Sequence, residues 1–461
     1  MASVPRPRRD EFEIAIFSVL KAERDAIEAA LDEEYECDGF AYSRAPSDIN
    51  TYTVGRLGYH HVVLVYLPHM GSIGSAPAAA SIKATFPGIK LALVVGVCGV
   101  SPYLKDECGR EVILGDVLIS TGVVKINSGQ QYPDRLALRT EVEHTLGRAP
   151  TVVRGFLDKL QGVRAHGRLK AKATRYANAI MKGLGGRGAY PGADQDKLFS
   201  SKYRHKHQDP NKCSICARCT EPLHGVCDDA LISSCASLGC DDERLIRRRR
   251  LEDAKRPQIA GFSSGGATIT EDPLQPCIWF GQFACSEFVL SSEIYRDQLA
   301  RDDFVVAFET EGAGIWEHLP TIIIKGAWNY ADSHNDRSWQ QYAAITAAAC
   351  TKAVVEEWRT SQPHLDPATQ TCRNCGRSTD NTDDFNRVSH ESIHHLRDLP
   401  HDLDAAFCST SLENTPPRLE NSRIALLRDV RQWDTNNDSQ PVFWLQRVAG
   451  ASKTKTTIPK T

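Results

Sequence analysis

The sequence lacks a long apolar run, a large excess of either charge, and an apolar N-terminal stretch. Its longest apolar run, Leu91–Val100, is about half as long as the roughly 20 residues that a membrane-spanning helix needs. Lysine and arginine (55) nearly balance aspartate and glutamate (58), and a net charge of −3 argues against extensive nucleic-acid binding. The first residues, MASVPRPRRDEFE, contain no apolar core of a secretory signal. We therefore expect a soluble cytoplasmic protein with no membrane and no nucleic-acid partner.

The chain of 461 residues is long enough for roughly two to three domains. Its composition changes along its length, because the N-terminus is basic with proline and the segment after residue 360 is polar. We predict a disordered tail, a main domain with a long insertion that is cysteine-rich over 205–240, a linker, and a C-terminal segment. Their expected bounds are 1–10 for the tail, 11–359 for the main domain, 134–256 for its insertion, 360–410 for the linker and 411–461 for the C-terminal segment.

The stretch VVAFETEGAGIWEHLPTIIIKGAWNYAD, which begins at Val305, reads as two strands with a helix start between them. The strands are predicted at Val305–Phe308 and Thr321–Ile324, and the second is predicted to end at Lys325. Both are short and apolar, and their β-branched residues favour buried strands over helices. Polar side chains follow the two strands: Glu309, Glu311, Asn329 and Asp332. Open α/β sheets bind ligands at the carboxyl ends of their strands, so we expect these groups together at one edge of a parallel sheet. The alternative is that each carboxylate only caps a helix.

The segments FETEGAG and IIIKGAWNYAD resemble two signatures of the nucleoside phosphorylase/nucleosidase superfamily, of the purine and uridine phosphorylase type. The resemblance extends over roughly Glu11–Trp358 and is greatest to a fungal branch that is fused to NLR-like receptors. It implies an α/β fold of three αβα layers around a central, mixed, mostly parallel twisted sheet. It also implies cleavage of a purine N-glycosidic bond, no required cofactor, and a homo-oligomer.

The resemblance assigns catalytic roles to Glu23, Glu311 and Asn329. Glu23 would hold the attacking water, although the helix dipole alone also favours a glutamate in a first turn. Glu311 would accept hydrogen bonds from the 2′- and 3′-hydroxyls of the ribose. Asn329 stands where most relatives carry an aspartate that protonates the purine, and an amide donates a hydrogen bond but delivers no proton. General acid catalysis contributes roughly 10²- to 10⁴-fold, so activity on adenine nucleosides is expected to fall.

The same resemblance predicts a set of substrate-binding residues. They are Gly71, Gly96, Cys98, Gly99, Phe283, Thr310, Glu311 and Trp328. Gly71 precedes a helix whose backbone N–H groups would face the phosphate or ribose end of the site. The glycines of a turn at 96–100 would let the backbone approach the base. Phe283 would stack on the purine or, alternatively, belong to the core, and Trp328 would narrow the pocket.

These residues predict hydrolytic release of a purine base from a nucleoside or nucleotide, with ATP- or adenosine-type substrates, in nucleoside metabolism or NLR-like defence. One alternative is a phosphorylase that uses phosphate as its nucleophile. Gln130 stands where fungal relatives carry an arginine, and an uncharged amide holds phosphate less well, which favours hydrolysis. The other alternative, suggested by Asn329, is a catalytically impaired nucleoside-binding or interaction module. Trimeric purine nucleoside phosphorylases, however, use an asparagine with 6-oxopurines.

The cysteines are concentrated in the insertion, where six of the fifteen fall within 28 residues. A C-x-x-C-x-x-C run in a reducing compartment favours zinc over disulfides. We predict a structural zinc held by Cys213, Cys216, Cys227 and Cys235, with free or buried thiols as the alternative, and note that His205 is nearby. The basic run 247–250 that follows is predicted to be a solvated face.

The last segment, from Leu419 to Thr461, resembles the start of a fungal NACHT domain. The residues aligned with its phosphate-binding loop are 447–454. Two of the glycines that wrap phosphates with their N–H groups are replaced here by Arg447 and Ser452. We predict a degenerate remnant that does not bind ATP.

Overall fold

The computed structural model of this protein describes most of the first 359 residues and two short strands beyond them. The described residues are 7–35, 42–104, 110–127, 129–131, 136–138, 146–221, 224–255, 275–302, 304–334, 336–359, 442–444 and 457–459. The chain divides into two compact units, Met1–Pro363 and His364–Thr461. In the second unit the described part is an antiparallel pair of strands. The predicted linker and the segment aligned with the phosphate-binding loop lie outside the described residues.

Strands and helices alternate through the first unit. The strands are β1 Phe12–Ser18, β2 Glu33–Glu34, β3 Tyr52–Leu57, β4 His60–Tyr66, β5 Leu91–Val100, β6 Val117–Lys125, β7 Gly129–Gln131, β8 Leu136–Leu138, β9 Ile278–Cys285, β10 Val305–Glu309 and β11 Thr321–Asn329, with β12 Val442–Trp444 and β13 Thr457–Pro459 in the second unit. The helices are α1 Lys21–Glu28, α2 Ser72–Thr85, α3 Thr151–Gln161, α4 Val163–Gly183, α5 Ser214–Arg218, α6 Asp228–Ile232, α7 Cys235–Leu238, α8 Arg249–Lys255, α9 Glu293–Asp302, α10 Gly312–Trp316 and α11 Gln340–Glu357.

Within the described residues, nine strands form one mixed sheet in the order β10-β9-β6-β11-β5-β1-β4-β3-β2. Strands β1, β4, β5 and β11 run parallel, as do β6, β9 and β10. The two groups meet antiparallel where β6 pairs with β11 and where β10 pairs with β5. The predicted α/β class with a mixed central sheet is confirmed.

Helices cover both faces of the sheet, and β1 shows the reason. Alternate residues of a strand point to opposite faces, so Ile14 and Ile16 join one core, which they share with α1, α3, α4 and α11. Ala15 and Phe17 join the other core, with α2 and α10. Each large side chain that is fully buried in these cores stabilises the fold by about 1.5–3 kcal/mol. None of the described helices combines the length and apolarity that crossing a bilayer requires.

Two strands extend beyond their predicted ends. The turn predicted at 96–100 is instead the last part of β5, because β11 continues the parallel ladder on one side and β10 pairs with Gly99 and Val100 on the other. Likewise β11 does not end at Lys325 but continues to Asn329. Lys325 therefore lies within the sheet, and this position decides the electrostatics of the site.

The long insertion belongs to the core of the first unit. Its helices α3 and α4 contribute Leu160 and Leu169 to the core that contains α11. The predicted solvated face at 247–250 is wrong for two residues. Arg248 is buried and donates to the carbonyl oxygens of Pro102 (3.0 Å) and Val112 (2.6 Å). Arg250 donates to both carboxylate oxygens of the buried Asp116. Hydrogen bonds of this paired kind, between a guanidinium and a carboxylate, are among the strongest in proteins.

The close contact between β11 and α11 predicts a large effect of one methyl group. A Cβ on Gly326 would lie 2.0 Å from the carbonyl oxygen of Ala343, so Gly326→Ala must displace backbone. We expect it to lower the free energy of unfolding by about 1–3 kcal/mol or more. In the control, Gly122→Ala, the described structure has no atom within 4 Å of the added Cβ, and we expect a change within about 0.5 kcal/mol. Urea denaturation of both variants measures this, and equal midpoints would contradict the packing.

Candidate active site

A cavity lies where the carboxyl ends of β1, β5, β10 and β11 approach one another. It is lined by Val19, Leu20, Glu23, Met70, Val97, Cys98, Gly99, Ser286, Phe288, Val289, Leu290, Phe308, Glu309, Thr310, Glu311, Trp328 and Asn329. The register explains the convergence, because Phe308 of β10 pairs with Gly99 and Asn329 of β11 pairs with the same residue from the other side. Three carboxylates and one amide from distant parts of the sequence therefore face one space.

Glu309 is a capping residue. Its Oε2 accepts hydrogen bonds from the backbone N–H groups of Glu311 (3.0 Å) and Gly312 (2.9 Å), at the start of α10. Burial raises the pKa of this carboxyl, the ammonium of Lys325 opposes that rise, and the neighbouring carboxylate of Glu311 adds to it. The alternative interpretation, in which the carboxylates after β10 only cap a helix, thus applies to Glu309.

Glu311 has a different environment, because it forms a buried ion pair. Its Oε2 accepts from Nζ of Lys325 at 3.0 Å, and its Oε1 accepts from the hydroxyl of Thr310. Lys325 is 2% exposed and also lies 4.0 Å from Oε2 of Glu309. Burial alone would raise the pKa of Glu311, but the ammonium of Lys325 outweighs it and holds that pKa below its usual value. The site therefore keeps Glu311 ionised.

The pKa of Lys325 shows the converse balance. Burial would lower it, but the carboxylates of Glu311, Glu23 and Glu309 together raise it above the usual range of a lysine. Lys325 is thus protonated at neutral pH. Oxygens of Glu311 and Glu309 lie 3.0 and 4.0 Å from this ammonium, and Glu23 also acts on it, so these four groups have a formal excess of two negative charges when all three carboxylates are ionised.

Glu23 is held almost completely by backbone. Its Oε2 accepts from the N–H groups of Val19 (3.0 Å) and Leu20 (2.9 Å), and its Oε1 accepts from Val97 (2.9 Å). Two carboxylate oxygens offer about four acceptor positions, so one remains for a group in the cavity. Burial raises the pKa of Glu23, and the ammonium of Lys325 opposes that rise.

Asn329 lines the cavity. Its Oδ1 accepts from the backbone N–H of Ala331 at 2.9 Å, which leaves the two N–H donors of Nδ2 for a ligand. Asp332 does not line the cavity. It accepts from the N–H of His334 and lies 3.7 Å from a guanidinium nitrogen of Arg296, so it stabilises the segment after β11.

Three predicted binding residues do not line the cavity. A Cβ on Gly96 would lie 2.0 Å from Oε1 of Glu23, so this glycine makes room for the carboxylate and not for a base. Gly71, at φ +105°, precedes α2 beside the cavity-lining Met70. Phe283 is fully buried in the core, as the alternative interpretation held, because its position on β9 points away from the cavity. Of the other binding predictions, Cys98, Gly99, Thr310, Glu311 and Trp328 do line it.

Sequence reasoning missed the central cation. Lys325 carried a signal, because a lysine in a run of β-branched residues is buried only when it is paired. Another wall of the cavity is formed by Ser286, Phe288 and Val289, which follow β9. Phe288 and Val289 are about half exposed at the mouth of the cavity.

The structure separates the four predicted metal ligands. Sulfur atoms of Cys213, Cys216 and Cys227 lie within 4.8 Å of one another. Cys235 is in a different group, with His205, Cys240 and His334. The predicted four-cysteine grouping is therefore wrong for Cys235, because α7 turns this residue towards the segment after β11. Both groups offer donors that suit a structural zinc.

Comparison with known proteins finds one relative among NLR-like proteins. No family model matches the chain. A nucleotide-binding leucine-rich repeat (NLR)-like protein of Hyaloscypha variabilis is 26% identical over 352 residues, which are 75% of this chain and 29% of that protein. The chain thus spans less than a third of the length of this relative.

Solved nucleosidase structures are similar at low TM-scores. Futalosine hydrolase of Helicobacter pylori has a TM-score of 0.40 and 14% identity, covering 76% of this chain and 99% of that chain. The 5′-methylthioadenosine/S-adenosylhomocysteine nucleosidase of Neisseria meningitidis, in complex with methylthio-immucillin-A, has a TM-score of 0.40 and 12% identity, covering 75% and 99%. At these TM-scores neither structure informs the chemistry of the cavity.

The buried ion pair predicts that Lys325→Met is strongly destabilising. It leaves Glu311 charged and unpaired, at a cost of about 3–5 kcal/mol near neutral pH. Glu311 has a lowered pKa in the folded protein, so its stabilising contribution is present above its usual value of 4.5 and is lost as the pH falls through the folded value. Without Lys325 the carboxyl of Glu311 protonates more easily. The difference in the free energy of unfolding between variant and wild type should therefore narrow as the pH falls from about 7 to about 5.

Chemical denaturation at the two pH values measures that gap. Lys125→Met is the matched control, because Lys125 pairs with Glu317 at the surface, where an ion pair contributes about 0–1 kcal/mol. A gap for Lys325→Met that stays the same at both pH values would show that lost packing, and not an unpaired charge, causes the destabilisation.

Proposed function

We propose that this protein is an N-glycosidase that releases a purine base from a nucleoside or nucleotide by hydrolysis. The observation that carries the proposal is a cavity lined by Glu23, Glu309 and Glu311, of which Glu311 pairs with the buried ammonium of Lys325 at 3.0 Å. Ribose gains positive charge as its bond to the base breaks, and an excess of fixed negative charge stabilises that state more than the neutral substrate. The motifs around Glu311 and Asn329 support the same chemistry by resemblance.

Glu311 is proposed to bind the ribose. An ionised carboxylate accepts hydrogen bonds only, which suits the two adjacent hydroxyls of the sugar. Lys325 donates one hydrogen bond to Oε2, and Thr310 donates one to Oε1. The carboxylate is therefore fixed in orientation before substrate binds. Such preorganisation avoids the cost of ordering the group during the reaction.

Glu23 is proposed to hold and deprotonate the attacking water. Its three backbone hydrogen bonds fix it, and it lines the cavity with one acceptor position left for the water. A base must be unprotonated, and burial raises the pKa of Glu23 above the usual value of a glutamate. We therefore propose that activity declines as the pH falls through that raised value, as protonation removes the base.

The amide of Asn329 is proposed to select the base. Its Nδ2 offers donors only, because Ala331 occupies its Oδ1. A 6-oxopurine presents acceptors at N7 and O6 side by side, whereas adenine presents an acceptor beside a donor. Inosine- and guanosine-type substrates thus match the site better than adenosine-type substrates. Trp328 and Phe288 would flank the plane of the base.

The surroundings of Glu287 favour hydrolysis over phosphorolysis. Its carboxylate accepts from the hydroxyl of Ser72 at the start of α2, and a Cβ on Gly71 would lie 2.4 Å from its Oε2. The start of a 14-residue helix attracts an anion, and here a side-chain anion already occupies the space. Phosphate would meet a like charge there.

The similarity to part of an NLR-like protein favours defence over housekeeping metabolism as the setting.

The proposal predicts base release that does not depend on phosphate. Purified protein is incubated with inosine, guanosine, adenosine, AMP and ATP, with and without phosphate, and free base is separated by chromatography. We expect release from 6-oxopurine substrates at equal rates in both conditions. Glu311→Gln should lower the rate by at least about 100-fold, because it removes the negative charge and keeps the shape.

The control for that experiment is Glu317→Gln, since Glu317 is exposed outside the cavity and should leave the rate unchanged. Asn329→Asp should shift the preference towards adenosine, because an aspartic acid protonates N7. Release that requires phosphate would identify a phosphorylase. No release from any substrate, together with activity in Asn329→Asp, would identify a binding module that has lost its acid.

The position of Glu287 gives a separate prediction. Glu287→Gln removes the charge beside α2 and keeps the hydrogen bond with Ser72, so phosphate should compete with substrate in the variant but not in the wild type. We expect millimolar phosphate to raise the KM of the variant several-fold. Equal KM values with and without phosphate in both proteins would show that no anion enters this part of the site.

A further inference from the structure

We infer that His205, Cys235, Cys240 and His334 bind one zinc ion, and that this ion joins the cysteine-rich insertion to the segment that follows Asn329. Three of these residues come from the insertion, and His334 comes from the segment after β11, 99 residues beyond Cys235. The two histidines are buried and the two cysteines are half-buried. A metal here would connect two parts of the chain that are distant in sequence.

Four of the six distances between the ligand atoms match the edges of a zinc tetrahedron, and the other two are within 4.8 Å. Zinc–nitrogen bonds of about 2.0–2.1 Å and zinc–sulfur bonds of about 2.3 Å give edges of about 3.3 Å between two nitrogens and about 3.5 Å between nitrogen and sulfur. The two histidine Nδ1 atoms are 3.3 Å apart. Cys235 Sγ lies 3.5 Å from Nδ1 of His334 and 3.7 Å from Nδ1 of His205, and Cys240 Sγ lies 3.6 Å from the latter.

The hydrogen bonds of the two imidazoles point to a cation between them. Nε2 of His205 lies 2.9 Å from the carbonyl oxygen of Ser233, and Nε2 of His334 lies 3.0 Å from that of Tyr203. A carbonyl only accepts, so each ring donates from Nε2 and, when neutral, presents a lone pair at Nδ1. Two lone pairs that face each other at 3.3 Å repel unless a cation lies between them. Histidines that bind metal usually donate their other N–H to a carbonyl in this way.

Stacking fixes the ring of His334 before any metal binds. Phe199 stacks on it with centroids 4.1 Å apart, and Tyr203 is nearly parallel to it at 5.6 Å. A ligand with a locked orientation loses little freedom on metal binding. The alternative is a metal-free network in which the two thiols donate to the imidazoles. In that network no proton lies between the two Nδ1 atoms unless one of the imidazoles is protonated and charged.

The zinc would stabilise the part of the cavity that contains Asn329. The segment from Asn329 to His334 is also tied to the insertion near its start, where the hydroxyl of Tyr330 donates to Asp196 at 2.6 Å. Within it, Ala331 has a φ of +49°, which costs an alanine about 1–3 kcal/mol, and donates to Oδ1 of Asn329. Zinc on His334 would hold the far end of this segment and so keep the amide directed into the cavity.

Metal analysis of the full chain tests the inference. The protein is expressed with zinc in the medium and desalted, and its zinc content is measured by mass spectrometry. We expect His334→Ala to contain one equivalent less than the wild type, whether or not the group of Cys213, Cys216 and Cys227 also binds. The matched control is His207→Ala, because His207 lies in the same insertion but pairs with Asp229. It should retain the wild-type content.

Cobalt substitution keeps the test decisive if His334→Ala does not fold. His205→Cys preserves a ligand, so this variant should bind the metal, and its cobalt form should show a stronger thiolate-to-metal absorption than the wild type because one sulfur is added. A wild-type chain that contains no zinc and takes up no cobalt would overturn the inference. So would a folded His334→Ala variant with the zinc content of the wild type, or a His205→Cys variant whose cobalt spectrum is unchanged.

Discussion

The buried ion pair between Lys325 and Glu311 is the interaction on which the site depends. An ammonium in the middle of a sheet is stable only with a compensating carboxylate, and here the pair is 3.0 Å long and almost completely excluded from water. It keeps Glu311 ionised in an environment that would otherwise neutralise it. Lys325 lies on β11 and Glu311 follows the end of β10, and both strands pair with β5, so the sheet brings the two residues together.

The rest of the cavity is arranged around this pair. Backbone N–H groups hold Glu23 and Glu309, and those groups belong to the starts of α1 and α10 and to β5. The amide of Asn329 is fixed by a different kind of support, the segment that ends at His334. The proposed zinc would connect that support to the cysteine-rich insertion.

Much of the fold was predictable, because the β-branched runs and the alternation of strands and helices are local properties. The convergence of Glu23, Glu311 and Asn329 was predictable from motifs at strand ends. The role of Lys325 was not, since its position in the sequence suggested the end of a strand and only pairing with β5 places it inside. Phe283 was ambiguous because strand pairing decides which face it occupies. Cys235 was misassigned because its partner His334 is far away in sequence.

The proposed function requires the cavity to stabilise positive charge on the sugar. Calorimetric titration tests it by comparing two ribose analogues with the same purine, one with a protonated ring nitrogen and one with a neutral carbon in its place. An excess of fixed negative charge predicts that the cationic analogue binds at least about tenfold more tightly, a difference of about 1.4 kcal/mol. Equal affinities, or tighter binding of the neutral analogue, would contradict the account.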